Sequence, residues 1–405
     1  MKVKIEPSIA SGEIKAPPSK SYAHRYLIAS ALAKGESKIE GIISSDDMEA
    51  TVKCASALDV SVNRQNDTVT VKSNELIAES KSREFYCNES GSTLRFFIPI
   101  ALALGGKSTF YGTERLISRG ISVYEDICSE QNISVEKYDN KIIFNGKLHS
   151  GTFNVRGDIS SQFITGLLFA LPLLNGDSII NITTDLESGS YIDITIDVLS
   201  QFGIEITRAN NTFYIKGSQQ YQSKNITVEG DMSNGAFLDA FNFLGGSVSV
   251  IGLNPNSKQG DGVYKSVMEK LKSSAPEISL KDCPDLAPVL FTIAGICHGA
   301  TFTDTKRLKI KESDRAEAMA KELKKFGILV DVLENSVTVH KCDLKTPTEV
   351  LFGHNDHRIV MALSVISTIY GGEIEGCQAV NKSYPNFFED IRKIGVKLEV
   401  NNEDN

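Results

Sequence analysis

Lys20, Ser21 and Arg25 lie close together in the stretch Pro17-Pro18-Ser19-Lys20-Ser21-Tyr22-Ala23-His24-Arg25, at the mouth of an apolar run that reaches Leu32. Two cations and a hydroxyl at that spacing suit a phosphate or a carboxylate. The proline pair forbids helix before Ser19, so a helix must start near Ser19 to Ser21 and aim its free N–H groups and positive dipole end at the same spot. Five later apolar segments open in the same style. Their entrances carry Ser92 and Arg95; Ser160, Ser161 and Gln162; Ser233 and Asn234; Asp285; and Asp356, His357 and Arg358. Capping alone accounts for the serines, because helices need hydroxyl or carboxylate caps. It does not account for Arg25, Arg95 and Arg358, since the dipole disfavours a cation in the first turn.

Further cations fall in connecting stretches: Arg115 and Arg119, Lys311 and Arg315 in Lys311-Glu312-Ser313-Asp314-Arg315, and Lys382. Asp285 puts a carboxylate at the entrance of the fifth apolar segment. Other patterns fail on inspection. Gly105-Gly106-Lys107-Ser108-Thr109 has Ala101 where a phosphate-binding loop needs glycine, and Gly260-Asp261-Gly262 lacks the third glycine of a dinucleotide loop. His354 and His357 have no neighbouring ligand cluster in sequence, and no Gly-x-Ser-x-Gly occurs.

The elements that must position these residues repeat. Six apolar segments each run into a glycine followed by a short extended run: His24 to Lys34, Leu94 to Leu104, Ser161 to Asn175, Ala236 to Leu244, Leu286 to His298 and His357 to Tyr370. Between Gly35, Gly106, Gly176, Gly246, Gly299 and Gly372 the steps are 71, 70, 70, 53 and 73 residues, a period too regular for chance with one truncated unit. In four units an amphipathic helix and two strands follow, the strands joined by hairpin residues such as Asn66-Asp67, Asp139-Asn140 and Asn210-Asn211. Helices apolar nearly all round are buried helices. The repeat therefore predicts two domains of three units, each wrapping apolar helices in a shell of sheets, with a break near Asn225 to Glu229.

At 405 residues the chain can hold two full cores, and 41% hydrophobic with 23% charged content is that of a soluble protein. The opening Met1-Lys2-Val3-Lys4-Ile5-Glu6 has no signal-peptide pattern, and no apolar run spans a bilayer. Seven scattered cysteines without a Cys-x-x-Cys pair read as reduced cytosolic thiols. A net charge of −8 argues against nucleic acid, so any anion site must concentrate its cations locally.

Taken in order, Pro-Pro-Ser-Lys-Ser at 17–21 with His24-Arg25, Ser-Gly-Ser-Thr-Leu-Arg at 90–95, Ser-Ser-Gln-Phe at 160–163, Tyr-Ile-Asp-Ile-Thr at 191–195, Lys-Glu-Ser-Asp-Arg at 311–315 and Asn-Asp-His-Arg at 355–358 resemble the 5-enolpyruvylshikimate-3-phosphate synthase family along the whole chain. The resemblance implies a two-domain inside-out α/β barrel of six βαβαββ repeats. It places one domain at 15–228, the other at 1–14 plus 229–405, and the active site in the cleft between them. It also implies transfer of the enolpyruvyl group of phosphoenolpyruvate to the 5-hydroxyl of shikimate 3-phosphate, by addition and elimination, in a cytoplasmic monomer with no metal or organic cofactor. Carried over, Ser21, Arg25, Ser160, Ser161, Ser188, Tyr191 and Lys311 hold shikimate 3-phosphate. Gly91, Arg119, Arg315, Arg358 and Lys382 hold phosphoenolpyruvate, and Lys20 and Gln162 touch both. Asp285 matches the base on the 5-hydroxyl and Glu312 the proton donor, with Lys20 and Lys382 as competitors for proton transfer.

Two departures stand out. Glu89 replaces an amide in Asn88-Glu89-Ser90-Gly91-Ser92, and Arg307 replaces an asparagine four residues before Lys311. Gly91 is unsubstituted, which by the resemblance implies room for glyphosate. The sister enzyme that uses UDP-N-acetylglucosamine starts with Lys-Asn where this chain has Lys20-Ser21, and Cys128 lies too far along to match its loop cysteine. A non-catalytic sugar-phosphate binder is the other alternative; loss of Asp285 or Glu312 would favour it, and both are present.

Overall fold

A computed structural model describes residues 1–73 and 81–401. The chain divides into two compact units, Pro18–Glu229 and Met1–Pro17 with Gly230–Asn405. Each is α/β and inside-out, with apolar helices at the centre and sheets around them.

Among the described residues the unit Pro18–Glu229 has three four-stranded sheets of one topology. In the second, Arg83–Tyr86 runs parallel to Lys107–Tyr111, which pairs antiparallel with Lys141–Asn145, itself antiparallel to Ser134–Lys137. Side chains along Arg83–Tyr86 alternate buried and exposed, so one face of the sheet covers the helices and the other meets water. Asn66 and Asn210 take positive φ at the hairpin turns that their type suggested. The first sheet is completed from far away: Ile226–Thr227 pairs with Gly35–Glu40.

The other unit uses its N-terminal segment in the same way. Lys2–Ile5 lies between Gly372–Glu375 and Leu398–Asn401, and Ser11–Lys15 pairs in parallel with Ser247–Ile251. That two-stranded sheet belongs to the short fourth repeat, which lacks a hairpin.

The six apolar helices are Lys20–Leu32, Gly91–Leu104, Ser161–Ala170, Met232–Asp239, Ala287–Ile296 and His357–Tyr370. Each apolar side chain they bury contributes about 1.5–3 kcal/mol relative to exposure. Five have a side-chain cap: Ser19, Ser90, Ser160, Asp231 and Asp356 accept from the backbone N–H of Tyr22, Thr93, Gln162, Asn234 and Arg358. All but His357–Tyr370 depart from the expected extents by a few residues, the third and fourth the most. The third ends at Ala170, with Leu171–Leu173 in a tighter turn that contains Pro172, and the fourth starts at Met232 and tightens over Ala240–Leu244.

Pro99 sits inside Gly91–Leu104 and offers no N–H to the carbonyl of Arg95. The Tyr124 hydroxyl takes that place, 2.6 Å from the Arg95 oxygen and 3.1 Å from that of Phe163. It fits because residue 166 is glycine: a Cβ there would lie 2.3 Å from the tyrosine oxygen and 2.4 Å from the Arg95 carbonyl. Tyr124→Phe leaves that carbonyl buried and unpaired, so we expect a loss of about 1–3 kcal/mol. Gly166→Ala forces the two helices apart and should cost more. Urea unfolding of both variants checks the order.

Candidate active site

In the unit Pro18–Glu229, Arg25 is almost fully buried at the entrance of its helix. Its guanidinium donates to the carbonyls of Ser21 (2.7 Å) and Tyr191 (3.0 Å) and to the hydroxyls of Thr195 (2.8 Å) and Thr165 (3.5 Å). Burial draws its pKa down to about 10, which still leaves it charged at neutral pH. The hydrogen bonds to Ser21 and Tyr191 tie two expected site residues to one cation. Ser188, just ahead of Tyr191, is buried with φ 55 at the head of Gly189–Gln201. A left-handed serine is costly and tends to be kept where a site needs it.

A second cluster gathers around Arg95. Its Nη1 donates to Gln162 Oε1 at 2.6 Å, and Gln162 Nε2 donates to Ser92 Oγ at 3.0 Å. Arg95 Nη2 also reaches the carbonyls of Arg119 (3.4 Å) and Gly120 (3.3 Å), so it fixes the turn that carries Arg119. Gly91 faces both cations: a Cβ there would lie 3.0 Å from Arg119 Nη1 and 3.2 Å from Arg95 Nη1. Ser160 caps the helix that presents Gln162, and Ser161 is buried in its first turn. Lys20 pairs with Asp47 at 2.8 Å.

In the other unit the focus is Asp285, in the turn Pro284–Leu286 ahead of Ala287–Ile296. Its Oδ1 accepts from Arg315 Nη1 at 2.6 Å and lies 3.4 Å from Lys311 Nζ, and its Oδ2 accepts from Arg358 Nη2 at 3.1 Å. Burial alone would raise the pKa of this carboxyl. The charges of Arg358, Lys311 and Arg315 overcome that and hold it well below the usual carboxylate range. Arg315, 1% exposed, also bonds Glu312 (2.8 Å) and Asp356 (2.8 Å). It thus bridges Asp285 to Glu312. Asp356 in turn caps the helix carrying Arg358 and accepts from Ser313 Oγ at 3.1 Å. Burial lowers the pKa of Lys311, and Asp285 partly restores it. Lys382 Nζ donates to the Asn355 carbonyl at 2.9 Å, in the loop just before Asp356. Lys20, Arg25, Arg95, Lys311, Arg315, Arg358 and Lys382 thus each have an oxygen partner holding them in place, a preorganised arrangement for oxyanions.

Comparison with known proteins decides the family. The description EPSP synthase (3-phosphoshikimate 1-carboxyvinyltransferase) matches residues 6–391. The chain belongs to the EPSP synthase family. It is similar to the 3-phosphoshikimate 1-carboxyvinyltransferase of Clostridium kluyveri, at 41% identity with 98% of each chain covered. Its likeness to the protein of that name from Clostridioides difficile is 37% over the same share of each. An EPSP synthase structure from Acinetobacter baumannii shares the fold, with a TM-score of 0.80 at 19% identity over 99% of this chain and all of that one. Among the described residues, no helix of this EPSP synthase family member is long and apolar enough to cross a membrane.

Some site residues escaped the sequence reading. Asp47 follows the Ser45 cap and looks like a helix-dipole carboxylate, and only the fold shows it to be the partner of Lys20. Thr165, in an apolar helix, and Thr195, in the amphipathic helix Gly189–Gln201, supply oxygens to Arg25. Asp261 was visible only within a discarded glycine pattern.

Proposed function

We infer that the protein transfers the enolpyruvyl group of phosphoenolpyruvate to the 5-hydroxyl of shikimate 3-phosphate and releases inorganic phosphate. Family membership supplies the reaction. The observation that best supports it in this chain is Asp285, a carboxylate shared by Arg315, Arg358 and Lys311.

The chemistry needs an oxygen nucleophile relieved of its proton, a proton delivered to the methylene carbon, and cations for two phosphates and a carboxylate. We assign Asp285 as the base. It takes the proton from the 5-hydroxyl as that oxygen bonds to the central carbon of phosphoenolpyruvate, while a proton adds to the methylene carbon and makes it a methyl group. Glu312 is the assigned donor, positioned by Arg315; Lys20 and Lys382 compete for that role. The tetrahedral intermediate then returns a methyl proton and breaks its carbon–oxygen bond to phosphate, which restores the double bond. Arg119, Arg315, Arg358 and Lys382, with the Gly91 backbone, are assigned to phosphoenolpyruvate. Ser21, Arg25, Ser160, Ser161, Ser188, Tyr191 and Lys311 are assigned to shikimate 3-phosphate, and Lys20 and Gln162 to both.

Anionic substrates engage the same cations that hold Asp285. Drawing Arg315, Arg358 and Lys311 toward phosphate and carboxylate oxygens weakens their hold on Asp285 and raises its basicity when a proton must be taken. Substrate binding thus activates the base.

The direct test is phosphate release from phosphoenolpyruvate with shikimate 3-phosphate or with UDP-N-acetylglucosamine as acceptor. Release with the shikimate ester alone supports the reading; release with the nucleotide sugar alone overturns the acceptor assignment. Gly91→Ala provides a second check. Its methyl group meets Arg119 Nη1 at 3.0 Å, so Arg119 must shift away from the assigned phosphoenolpyruvate position. We expect the KM for phosphoenolpyruvate to rise by about tenfold, equivalent to about 1.4 kcal/mol, with KM for shikimate 3-phosphate little changed. Glyphosate should inhibit the unaltered enzyme and lose potency in this variant.

A further inference from the structure

Asp261 is a buried carboxylate to which neither the reaction nor the resemblance gives a role. It lies in the turn Gly260–Val263, 6% exposed. Gln259 fastens this turn to the start of Met232–Asp239: its Oε1 accepts from Met232 N at 3.0 Å and its Nε2 donates to the Gly230 carbonyl at 2.8 Å. That clamp brings Asp261 near Ser233, whose hydroxyl favours the charged form of the Asp261 carboxyl.

The direction of this chain of bonds follows from donor counting. Arg358 Nη1 can only donate, so Ser233 Oγ accepts from it. The single hydroxyl hydrogen of Ser233 is then left for Asp261. The other terminal nitrogen of Arg358, Nη2, donates to Asp285 Oδ2 at 3.1 Å. Asp285, Arg358 and Ser233 therefore form one path of hydrogen bonds, with Asp261 beside its Ser233 end. Asp261 Oδ1 has no hydrogen-bond partner among the described residues. A proton can arrive at or leave that oxygen without breaking any bond in the path.

We propose that Asp261 is a positioning residue for the reaction inferred above: through Ser233 it fixes the Arg358 guanidinium, and its charge sets how strongly Asp285 takes a proton. The proposal rests on the assignment of Asp285 as the base. The charged and titratable groups facing Asp261 are Asp285, Asp231, Arg358 and the Cys283 thiol, which burial keeps neutral. Anionic Asp261 repels the charge on Asp285 and offsets part of that on Arg358, and both effects raise the basicity of Asp285. Protonated Asp261 does neither. Burial foremost, then Asp285, pushes its pKa up to about 7, so the change falls in the working pH range.

The test compares kcat and KM of the unaltered enzyme, Asp261→Asn and Ser233→Ala from pH 5.5 to 9. Asp261→Asn keeps an oxygen for Ser233 and loses the charge. Its kcat should approach that of the unaltered enzyme at pH 5.5 and fall to about a tenth of it at pH 9. A merely structural role would lower kcat by the same factor at every pH, and that result overturns the proposal. Ser233→Ala keeps the charge and cuts the path. It should raise the KM for phosphoenolpyruvate severalfold and, because the Ser233 hydroxyl lowers the Asp261 pKa, move the pH profile toward higher pH; an unchanged KM overturns the positioning role. Carbon-13 NMR of aspartate-labelled protein gives a readout independent of activity and of variant folding. One carboxyl should titrate near neutral pH, and its absence overturns the proposal. Phosphate release by the unaltered enzyme is the control that detects failure of the inferred reaction itself.

Discussion

Asp285→Asn should lower kcat by about 10²–10⁴-fold, the usual contribution of a positioned general base, and should at the same time tighten phosphoenolpyruvate. The two effects have one cause. Asp285 is the carboxylate shared by Arg315, Arg358 and Lys311. An amide in its place cannot take the hydroxyl proton, and it leaves three cations with one less negative charge among them. The site becomes more positive, so an anion binds better while the chemistry slows. The fold should survive, because Arg315 keeps Asp356 and Glu312 and Asp356 still caps His357–Tyr370. Calorimetric titration with phosphoenolpyruvate and steady-state phosphate release measure the two arms. A kcat within a few-fold of the unaltered enzyme would remove Asp285 as the base, and a weakened affinity would show that it helps to hold the ligand. Glu312→Gln separates the donor from the base. It removes one of three carboxylates on Arg315 without touching Asp285, so it should slow turnover and tighten phosphoenolpyruvate less than Asp285→Asn, since one cation rather than three loses a partner.

Much of this arrangement was legible in the sequence because it rests on local rules. Pro17-Pro18 fixes where the first helix begins, the all-round apolar character of Gly91–Leu104 and His357–Tyr370 forces them inside, and arginine in a first turn marks a site because nothing local rewards it there. What stayed hidden depends on partners distant along the chain. Lys2–Ile5 reads as any short strand; its place between Gly372–Glu375 and Leu398–Asn401 follows from a gap in the sixth repeat that only the folded sheet reveals. The same holds for Ser11–Lys15 beside the truncated fourth repeat. Helix lengths were overestimated where a tight turn continues an apolar run, as at Leu171–Leu173, because periodicity cannot tell a last α turn from a tighter one. Asp47, Thr165 and Thr195 are residue types common on any helix, and Asp261 stood in a pattern that failed as a motif. Their roles come from the cation each one faces.

His24 is the other residue whose effect should be large, on stability rather than turnover. It lies in the middle of Lys20–Leu32, 2% exposed, with Nδ1 2.6 Å from Thr51 Oγ1 and Nε2 without a hydrogen-bond partner. Thr51 donates to the Asp47 carbonyl at 3.1 Å, so the imidazole hydrogen is assigned to Nδ1 and the bare lone pair to Nε2. A second proton would create a buried cation with no acceptor. Burial is the main reason that the pKa falls to about 3; Asp47 opposes the fall, and Lys20 and Arg25 add to it. In the unfolded chain the same ring titrates near 6.5. Between those two values the unfolded state binds the extra proton and the folded state does not. The stability is therefore fully present above about pH 6.5 and drains away as pH falls toward 3. From pH 7 to pH 5 this one ring should cost about 2 kcal/mol. His24→Asn keeps a hydrogen-bonding group for Thr51 and cannot be protonated, so its unfolding free energy should lose about 2 kcal/mol less than that of the unaltered protein over that interval. Urea titrations of both proteins at pH 7 and pH 5 measure the difference, and equal losses would mean that the ring is already charged in the fold. Asp261 acts in the opposite sense. Its raised pKa favours the folded state at low pH, and that contribution is lost as pH rises through about 7. Over about pH 4 to 7 the two groups thus act against each other: Asp261→Asn removes a loss of stability with rising pH, and His24→Asn a loss with falling pH.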